Sequence, residues 1–218
     1  AWVDTLSLTE IAAELQESLD LLESDMRNVA DRHRSLRAVF ETSWDKLQSG
    51  EQQLFAQLSV FRGGFTRMAA QEICAPDVSR PAFHRLLAGL TRKSFLKHDM
   101  ENGRYDIHEL MRQFGAEKLA QESNRETDIR DRHSAYFCQV LADQTDDLKG
   151  GREREAMLAI GADIENMRAA WDWAVTHGYL AQLRQAAFSL GSFYWRSGRF
   201  LEGEIAFGSA VDMCRTVQ

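Results

Sequence analysis

The sequence predicts a mainly α-helical protein with a single β-hairpin. Only 2 of its 218 residues are proline, which favours long helices because proline breaks the helical hydrogen-bond pattern. Apolar residues recur at intervals of three and four along most of the chain, as on the buried face of an amphipathic helix. The clear exception is a short stretch of alternating residues around Asn102-Gly103, a pair typical of hairpin turns.

The first elements are predicted from helix start and stop signals. Residues 1–25 have a helical apolar pattern, and a polar connector extends to residue 34. Ser35 can cap the next helix, and Ser49 can begin another, with Gln52 completing its capping box.

Two further helices lead to the hairpin. Thr66 can cap a helix that ends at Pro76, and Ser79 with Pro81 can open the next. The hairpin strands lie within Phe95–His98 and Arg104–His108, and the Phe61–Phe65 segment can add a short third strand. This order of helices, hairpin and trailing helix predicts a winged-helix domain over residues 35–120.

Residues 121–218 are predicted to form a helical repeat region. A polar stretch, Gln121–Thr127, resembles a linker, and Gly150-Gly151 and His177-Gly178 break the helices that follow. The spacing of Leu190-Gly191, Tyr194, Gly198, Gly203, Phe207 and Ala210 matches a tetratricopeptide helix pair.

In such a pair, glycines let two helices approach closely while aromatic rings fill the space between them. Gly191 and Gly203 are in the positions of the small residues, and Tyr194 and Phe207 in those of the aromatic ones. An ordinary helical hairpin that uses small and aromatic residues in the same way is the alternative. Trp171, Trp173, Trp195 and Phe193 are expected to pack in the core or between repeats, with a ligand groove lined by Trp195 as the other possibility.

Charge and cysteine content exclude several classes of protein. The net charge is -7, and residues 36–120 contain 12 basic and 10 acidic residues, so no strongly basic nucleic-acid footprint is present. Cys74, Cys138 and Cys214 lie far apart, which predicts free thiols in a reducing, cytoplasmic setting.

No apolar run approaches the ~20 residues that a membrane helix needs. Because the chain begins without Met in a helical pattern, we expect it to belong to a longer protein.

The sequence contains no catalytic constellation. It has no G-x-x-x-x-G-K-[ST] phosphate loop, no G-x-G-x-x-G, no H-E-x-x-H and no G-x-S-x-G. The lone pair Gly63-Gly64 is a weak candidate for holding phosphate. We therefore expect no enzymatic activity, no bound cofactor and no metal site in this chain.

His108 is the one candidate site residue. It ends the second predicted hairpin strand and immediately precedes a helix, so its imidazole lies near the free amides and positive dipole end of that helix. Such a position suits an anion. The alternative is that the ring simply caps the helix.

Three groups of residues carry a resemblance to a known family. They are Leu54-Phe55-x-x-Leu58-Ser59-Val60-Phe61-x-Gly63-Gly64-Phe65, then Leu87-x-x-Leu90-x-x-Lys93-Ser94, then Arg104-Tyr105-x-Ile107-His108-Glu109-Leu110-x-Arg112-x-Phe114. Together they resemble the winged-helix domain of STAND-class, NB-ARC-like signalling NTPases. Residues 1–25 resemble the end of the helical domain that precedes it in the family, and 163–174 resemble the helix that opens the sensor array of bacterial transcriptional regulators.

The resemblance implies a regulatory segment of an ATP/ADP switch. In the family, the histidine of a Met-His-Asp motif contacts the ADP phosphate in the resting state, and His108 is in that place here, with Ile107 and Glu109 replacing Met and Asp. The resemblance implies that ATP or ADP with Mg is bound by an upstream nucleotide-binding domain. It further implies that a protein or small-molecule inducer binds the helical array.

A DNA-binding winged helix is the rival interpretation. The helix from Pro81 carries Arg85, Arg92 and Lys93 without an acid, and the hairpin adds Lys97 and Arg104. DNA-binding domains usually have more basic residues on the face that contacts DNA. The sequence therefore favours the switch and argues against DNA contact by this chain. A hydrolase is a third possibility, but no nucleophile, base or metal set supports it.

Overall fold

A computed structural model describes residues 37 and 39–216 of the chain. The predicted helix over residues 1–25, the connector to residue 34 and the Ser35 cap lie outside the described residues.

The first part of the described chain, to residue 120, is called the winged-helix unit. Its elements are α1 (residues 39–44), α2 (Ser49–Leu58), β1 (Phe65–Thr66), α3 (Arg67–Cys74), α4 (Arg80–Arg92), β2 (Lys97–His98), β3 (Arg104–Asp106) and α5 (Glu109–Ala120). The strands form one antiparallel sheet in the order β1-β3-β2. The predicted third strand is therefore present, but it begins at Phe65, and the residues from Phe61 to Gly64 are not part of it.

The predicted helix starts were correct at α2, α3 and α4, but the capping box predicted for α2 was wrong. The Thr66 hydroxyl accepts a hydrogen bond from the Ala69 amide at 3.1 Å, and α3 ends two residues before Pro76. At α2, the N-cap is Gln48, whose amide donates to Glu51 Oε2 at 2.8 Å. The predicted partner Gln52 instead donates from its side chain to the Trp44 carbonyl.

Residues 121–216 form the helical array. Its elements are α6 (Ser123–Asp143), α7 (Thr145–Lys149), α8 (Glu153–Thr176), α9 (Leu180–Arg196) and α10 (Phe200–Thr216). The helix breaks at Gly150-Gly151 and His177-Gly178 are confirmed. The predicted linker over Gln121–Thr127 is wrong, because α6 begins at Ser123, where the polar start forms the ion pairs Glu122–Arg125 and Glu126–Arg130 along the helix.

The glycine contacts between α9 and α10 agree with the repeat-type pattern. A Cβ on Gly203 would lie 3.2 Å from Tyr194 Cβ, and one on Gly191 would lie 3.4 Å from Phe207 Cζ. The indole of Trp171 donates to the Ala206 carbonyl at 3.0 Å. Trp195 does not pack as expected, since it is 73% exposed.

One apolar core runs through both units. Its largest fully buried side chains come from each of them: Phe55, Phe65, Phe83, Leu58, Ile73, Leu87, Leu90 and Leu119 from the winged-helix unit, and Trp171, Phe137, Ile129 and Leu141 from the array. Cys74, Cys138 and Cys214 are free thiols, as expected. The prediction of a mainly α fold with a small antiparallel sheet is confirmed.

Candidate functional site at the junction of the winged-helix unit and the array

His108 is the N-cap residue of α5, two residues beyond the end of β3. Its side chain is exposed. The ring makes no capping hydrogen bond to the helix, so the alternative in which it only caps α5 is not what the structure shows. The imidazole is therefore free to face a group brought to the start of α5, and the sensing role of His108 stays a prediction.

Glu109, the acidic neighbour of His108, is held inside the unit. Both of its carboxylate oxygens accept from Arg112, at 2.7 and 2.6 Å. Arg112 also donates to the Ser59 carbonyl at 3.1 Å, and Arg62 donates to the same oxygen at 3.2 Å. Burial lowers the pKa of Arg62, while the Glu109 carboxylate acts in the opposite direction. This network fixes the start of α5 to the end of α2.

The turn at Gly63-Gly64 faces the array. Gly63 and Gly64 have φ of 69° and 85°, values that glycine adopts readily. The fully buried Asn166 side chain of α8 accepts from the Arg62 amide at 2.7 Å and donates to the Gly64 carbonyl at 2.8 Å. The turn is thus bonded to a helix of the array, which weakens further the idea that it holds phosphate.

A second polar contact joins β3 to α8. Arg104 donates from two guanidinium nitrogens to Asp163, at 2.5 and 3.3 Å. Asp163 also accepts from Asn166 at 3.3 Å. Because both side chains of the ion pair are mostly buried, the pair fixes orientation more strongly than an exposed one would.

His133 of α6 completes the junction. Its ring lies against Phe61 and Phe137, and Nε2 is 3.4 Å from Asn166 Oδ1. Burial lowers the pKa of His133 to about 3, with the Asn166 contact acting in the opposite direction. The histidine is therefore neutral near pH 7.

Sequence reasoning missed Asn166, Asp163 and His133 as members of one site. Asp163 and Asn166 lie three residues apart on α8, and the Asn166 partners lie about one hundred residues earlier in sequence. The Gly63-Gly64 turn and the polar residues of α8 come together only in the tertiary structure. No local pattern in the sequence indicates that they are close.

The exposed face of α4 is basic. Arg80, His84, Arg85 and Arg92 are exposed there, and no acidic residue lies between Ser79 and Ser94. Two of the five cations that favoured DNA contact are engaged elsewhere, because Lys93 pairs with Glu51 and Arg104 with Asp163. Arg85, Arg92 and Lys97 remain outside the ion pairs found among the described residues.

Among residues 37 and 39–216, no three His, Cys, Asp or Glu side chains are grouped as a metal site would require. The helices of the same part of the chain include none with the length and apolarity of a membrane span.

Comparisons with known proteins point to transcription regulators. No family model matches the chain, and no solved structure matches it. The chain is 30% identical over 215 residues to curated proteins from Mycobacterium bovis and from two strains of Mycobacterium tuberculosis. Their names describe them, provisionally, as HTH-type transcriptional regulators. The match covers 97% of this chain and 24% of each relative, so the chain spans about a quarter of the length of these proteins.

Proposed function

We propose that this chain is a regulatory segment of a transcription regulator, in which the helical array controls the position of the winged-helix unit. The observation that supports this most directly is the similarity across nearly the whole chain to proteins named as HTH-type transcriptional regulators. The strand order β1-β3-β2 and the buried junction at Asn166 fit such a role. The unit and the array are joined by specific polar contacts, so a change in the array can be transmitted to the wing.

The names of the relatives favour DNA contact as the way this segment acts. In this chain, DNA contact is supported by the face of α4, which has no acidic residue. Arg85 and Arg92 are exposed there, and Lys97 lies on the next strand, β2. In a winged helix the helix before the hairpin is the one that enters the major groove. The names belong to proteins about four times longer, so the assignment of the DNA contact to this segment is part of the proposal.

Duplex DNA binding by the chain, followed by fluorescence anisotropy at several salt concentrations, tests this mode. The double variant Arg85→Ala/Arg92→Ala should weaken binding at least about tenfold and reduce the salt slope by roughly 0.9 for each phosphate that is no longer neutralised. The matched control Arg154→Ala/Arg184→Ala removes two exposed arginines from the array and should leave binding unchanged. Absence of salt-dependent binding, or an equal decrease in both double variants, would exclude DNA contact through α4.

A nucleotide-dependent switch is the second mode, favoured by the exposed ring of His108 at the start of α5. In this mode an upstream nucleotide-binding domain binds ADP or ATP with Mg, and His108 contacts the ADP phosphate in the resting state. An inducer on the array then favours the open, ATP-bound form by shifting the population between two packings. The segment itself performs no chemistry.

Release of ADP from the full-length protein tests the switch. His108→Ala should speed ADP release and raise the signalling output, while His84→Ala, which alters another exposed histidine, should leave ADP release unchanged. Unaltered ADP retention in His108→Ala would remove the sensor role and leave DNA contact as the surviving mode.

A further inference from the structure

A polar cavity lies where the winged-helix unit meets α6. It has a volume of about 610 Å³, within the range of small-molecule sites. Gln57 of α2 and Cys74 and Ala75 at the end of α3 line it on one side, and Arg125, Asp128 and Arg132 of α6 on the other. The cavity therefore has walls from both units, on a different set of residues from the Asn166 junction.

Gln57 is a largely buried residue whose amide opens onto this cavity. The residue is only 6% exposed, and its side chain makes no hydrogen bond to any described residue, whereas Gln52 on the same helix is bonded to the Trp44 carbonyl. The amide atoms of Gln57 are not among the fully buried, unpartnered polar atoms of the described residues, so they face the open space of the cavity. The amide offers both donors and an acceptor to a molecule bound there.

The start of α6 supplies positive potential to the same cavity. The first intrahelical bond here runs from the Glu126 amide to the Glu122 carbonyl at 3.0 Å, so the amides of Ser123, Asn124 and Arg125 precede the helical ladder. Glu122, the N-cap residue, does not cap them with its side chain. Free amides at the start of a 21-residue helix favour an anionic group.

Two arginines of α6 also line the cavity. Arg125 is paired with Glu122 at 2.5 Å. Arg132 donates to the Asp128 carbonyl at 3.3 Å and, among the described residues, forms no ion pair. Burial raises the pKa of Cys74, and the positive charge of Arg132, which lines the same cavity, acts against that rise.

The rim also contains acids. Asp77, Glu122 and Asp128 are exposed around the opening. A bare anion would be repelled by them, whereas a molecule that also carries donor groups would pair with them.

We propose that this cavity binds a small polar molecule with a carboxylate or phosphate at one end and hydroxyl or amine donors at the other. The anionic group meets the start of α6, the Gln57 amide and Arg132 bind oxygens in the body of the molecule, and the donors face Asp77 and Asp128. A ligand here contacts both units, so it is suited to act as the inducer. That last step rests on the proposed function, whereas the binding does not.

Titration of the chain followed by ¹H–¹⁵N NMR tests the site directly. The probes are inorganic phosphate, glycerol 3-phosphate and D-glycerate, which separate the bare anion from longer phosphate and carboxylate ligands. We expect saturable shifts of the Gln57 side-chain amide and of the Ser123–Arg125 backbone amides. Glycerol 3-phosphate or D-glycerate should bind at least about tenfold more tightly than phosphate, a difference of ~1.4 kcal/mol.

The variants Gln57→Leu and Arg132→Gln should each weaken binding about tenfold or more. Gln185→Leu and Arg154→Gln make the same changes at exposed positions of the array and should bind as the unaltered chain does. Thermal unfolding of each variant verifies that it folds. The proposal fails if no probe gives saturable shifts up to about 10 mM, or if Gln57→Leu and Arg132→Gln bind normally. Since DNA and ADP binding are measured on α4 and His108, failure here leaves the proposed function standing.

Discussion

His133 and Asn166 show how two polar side chains can be buried at the junction without charge. The imidazole has aromatic rings of Phe61 and Phe137 against it, and burial lowers its pKa from 6.5 to about 3. Asn166 satisfies two backbone groups of the Gly63-Gly64 turn. A protonated imidazole would bring a charge into this apolar setting, where it has only a long contact to the Asn166 oxygen.

Acid should destabilise the chain through His133. Between pH 6.5 and about 3 the unfolded chain binds a proton at this residue and the folded chain does not. The free energy of unfolding therefore falls as pH is lowered through this window, with a slope of up to ~1.4 kcal/mol per pH unit from this group. In His133→Gln the decline should be shallower. Urea unfolding from pH 7 to pH 4 measures the free energy of unfolding of the unaltered chain and of His133→Gln. Identical slopes against pH would show that His133 does not cause the loss of stability in acid.

At the scale of elements, α2 and α4 pack through a glycine and an ion pair in which the carboxylate of Glu51 is buried and Lys93 is exposed. Burial alone would raise the pKa of Glu51, but hydrogen bonds from Lys93 and the Gln48 amide outweigh it, and the pKa is lowered. Gly89 lies where a Cβ would collide with Oε1 of Glu51. The glycine therefore makes room for the carboxylate that holds the end of α4 to the start of α2.

Two glycine-to-alanine changes should have opposite effects on stability. Gly89→Ala should destabilise the chain by ~1–3 kcal/mol, because the buried Glu51 side chain must move away from Lys93. Gly208→Ala, at a position of α10 with open space around it, should stabilise by roughly 0.5–1 kcal/mol through helix propensity. Chemical denaturation of both variants measures this, and stabilisation by Gly89→Ala would show that the α2–α4 contact is less closely packed.

At the scale of the whole molecule, the winged-helix unit and the array share one core. Phe61 of the unit packs against Phe137 of α6, and the polar contacts at Asn166 and Asp163 lie beside these rings. Because the two units stabilise one another across this boundary, we expect them to unfold together.

Disruption of the junction should separate the two parts. The unaltered chain should give one transition by calorimetry. Asn166→Ala leaves the Arg62 amide and the Gly64 carbonyl without their partner and should cost about 1–3 kcal/mol. Combined with Asp163→Ala, it should split the transition in two. Gln185→Ala, an exposed change on α9, should keep the single transition, and a single transition in the double variant would mean that the apolar core alone couples the units.

The sequence by itself determined the features that depend on neighbouring residues. Thr66 and Pro76 set the ends of α3, Asn102-Gly103 formed the hairpin, and Gly191 and Gly203 marked the close approach of α9 and α10. It failed at the capping box of α2, which Gln48 rather than Ser49 begins. It also failed at Gln121–Thr127, where ion pairs one helical turn apart keep a polar stretch helical.

Only the tertiary structure decided how the two parts meet. The Arg62–Asn166 contact joins residues 104 apart in sequence, and the pairing of Arg104 with Asp163 removed one cation from the predicted basic surface. The cavity that Gln57 lines exists only in the folded chain, because residues of α6 form its other wall. Helix starts, breaks and turns depend on interactions a few residues apart. Burial and partner choice depend on which distant segments the core brings together, so they follow from the folded chain as a whole.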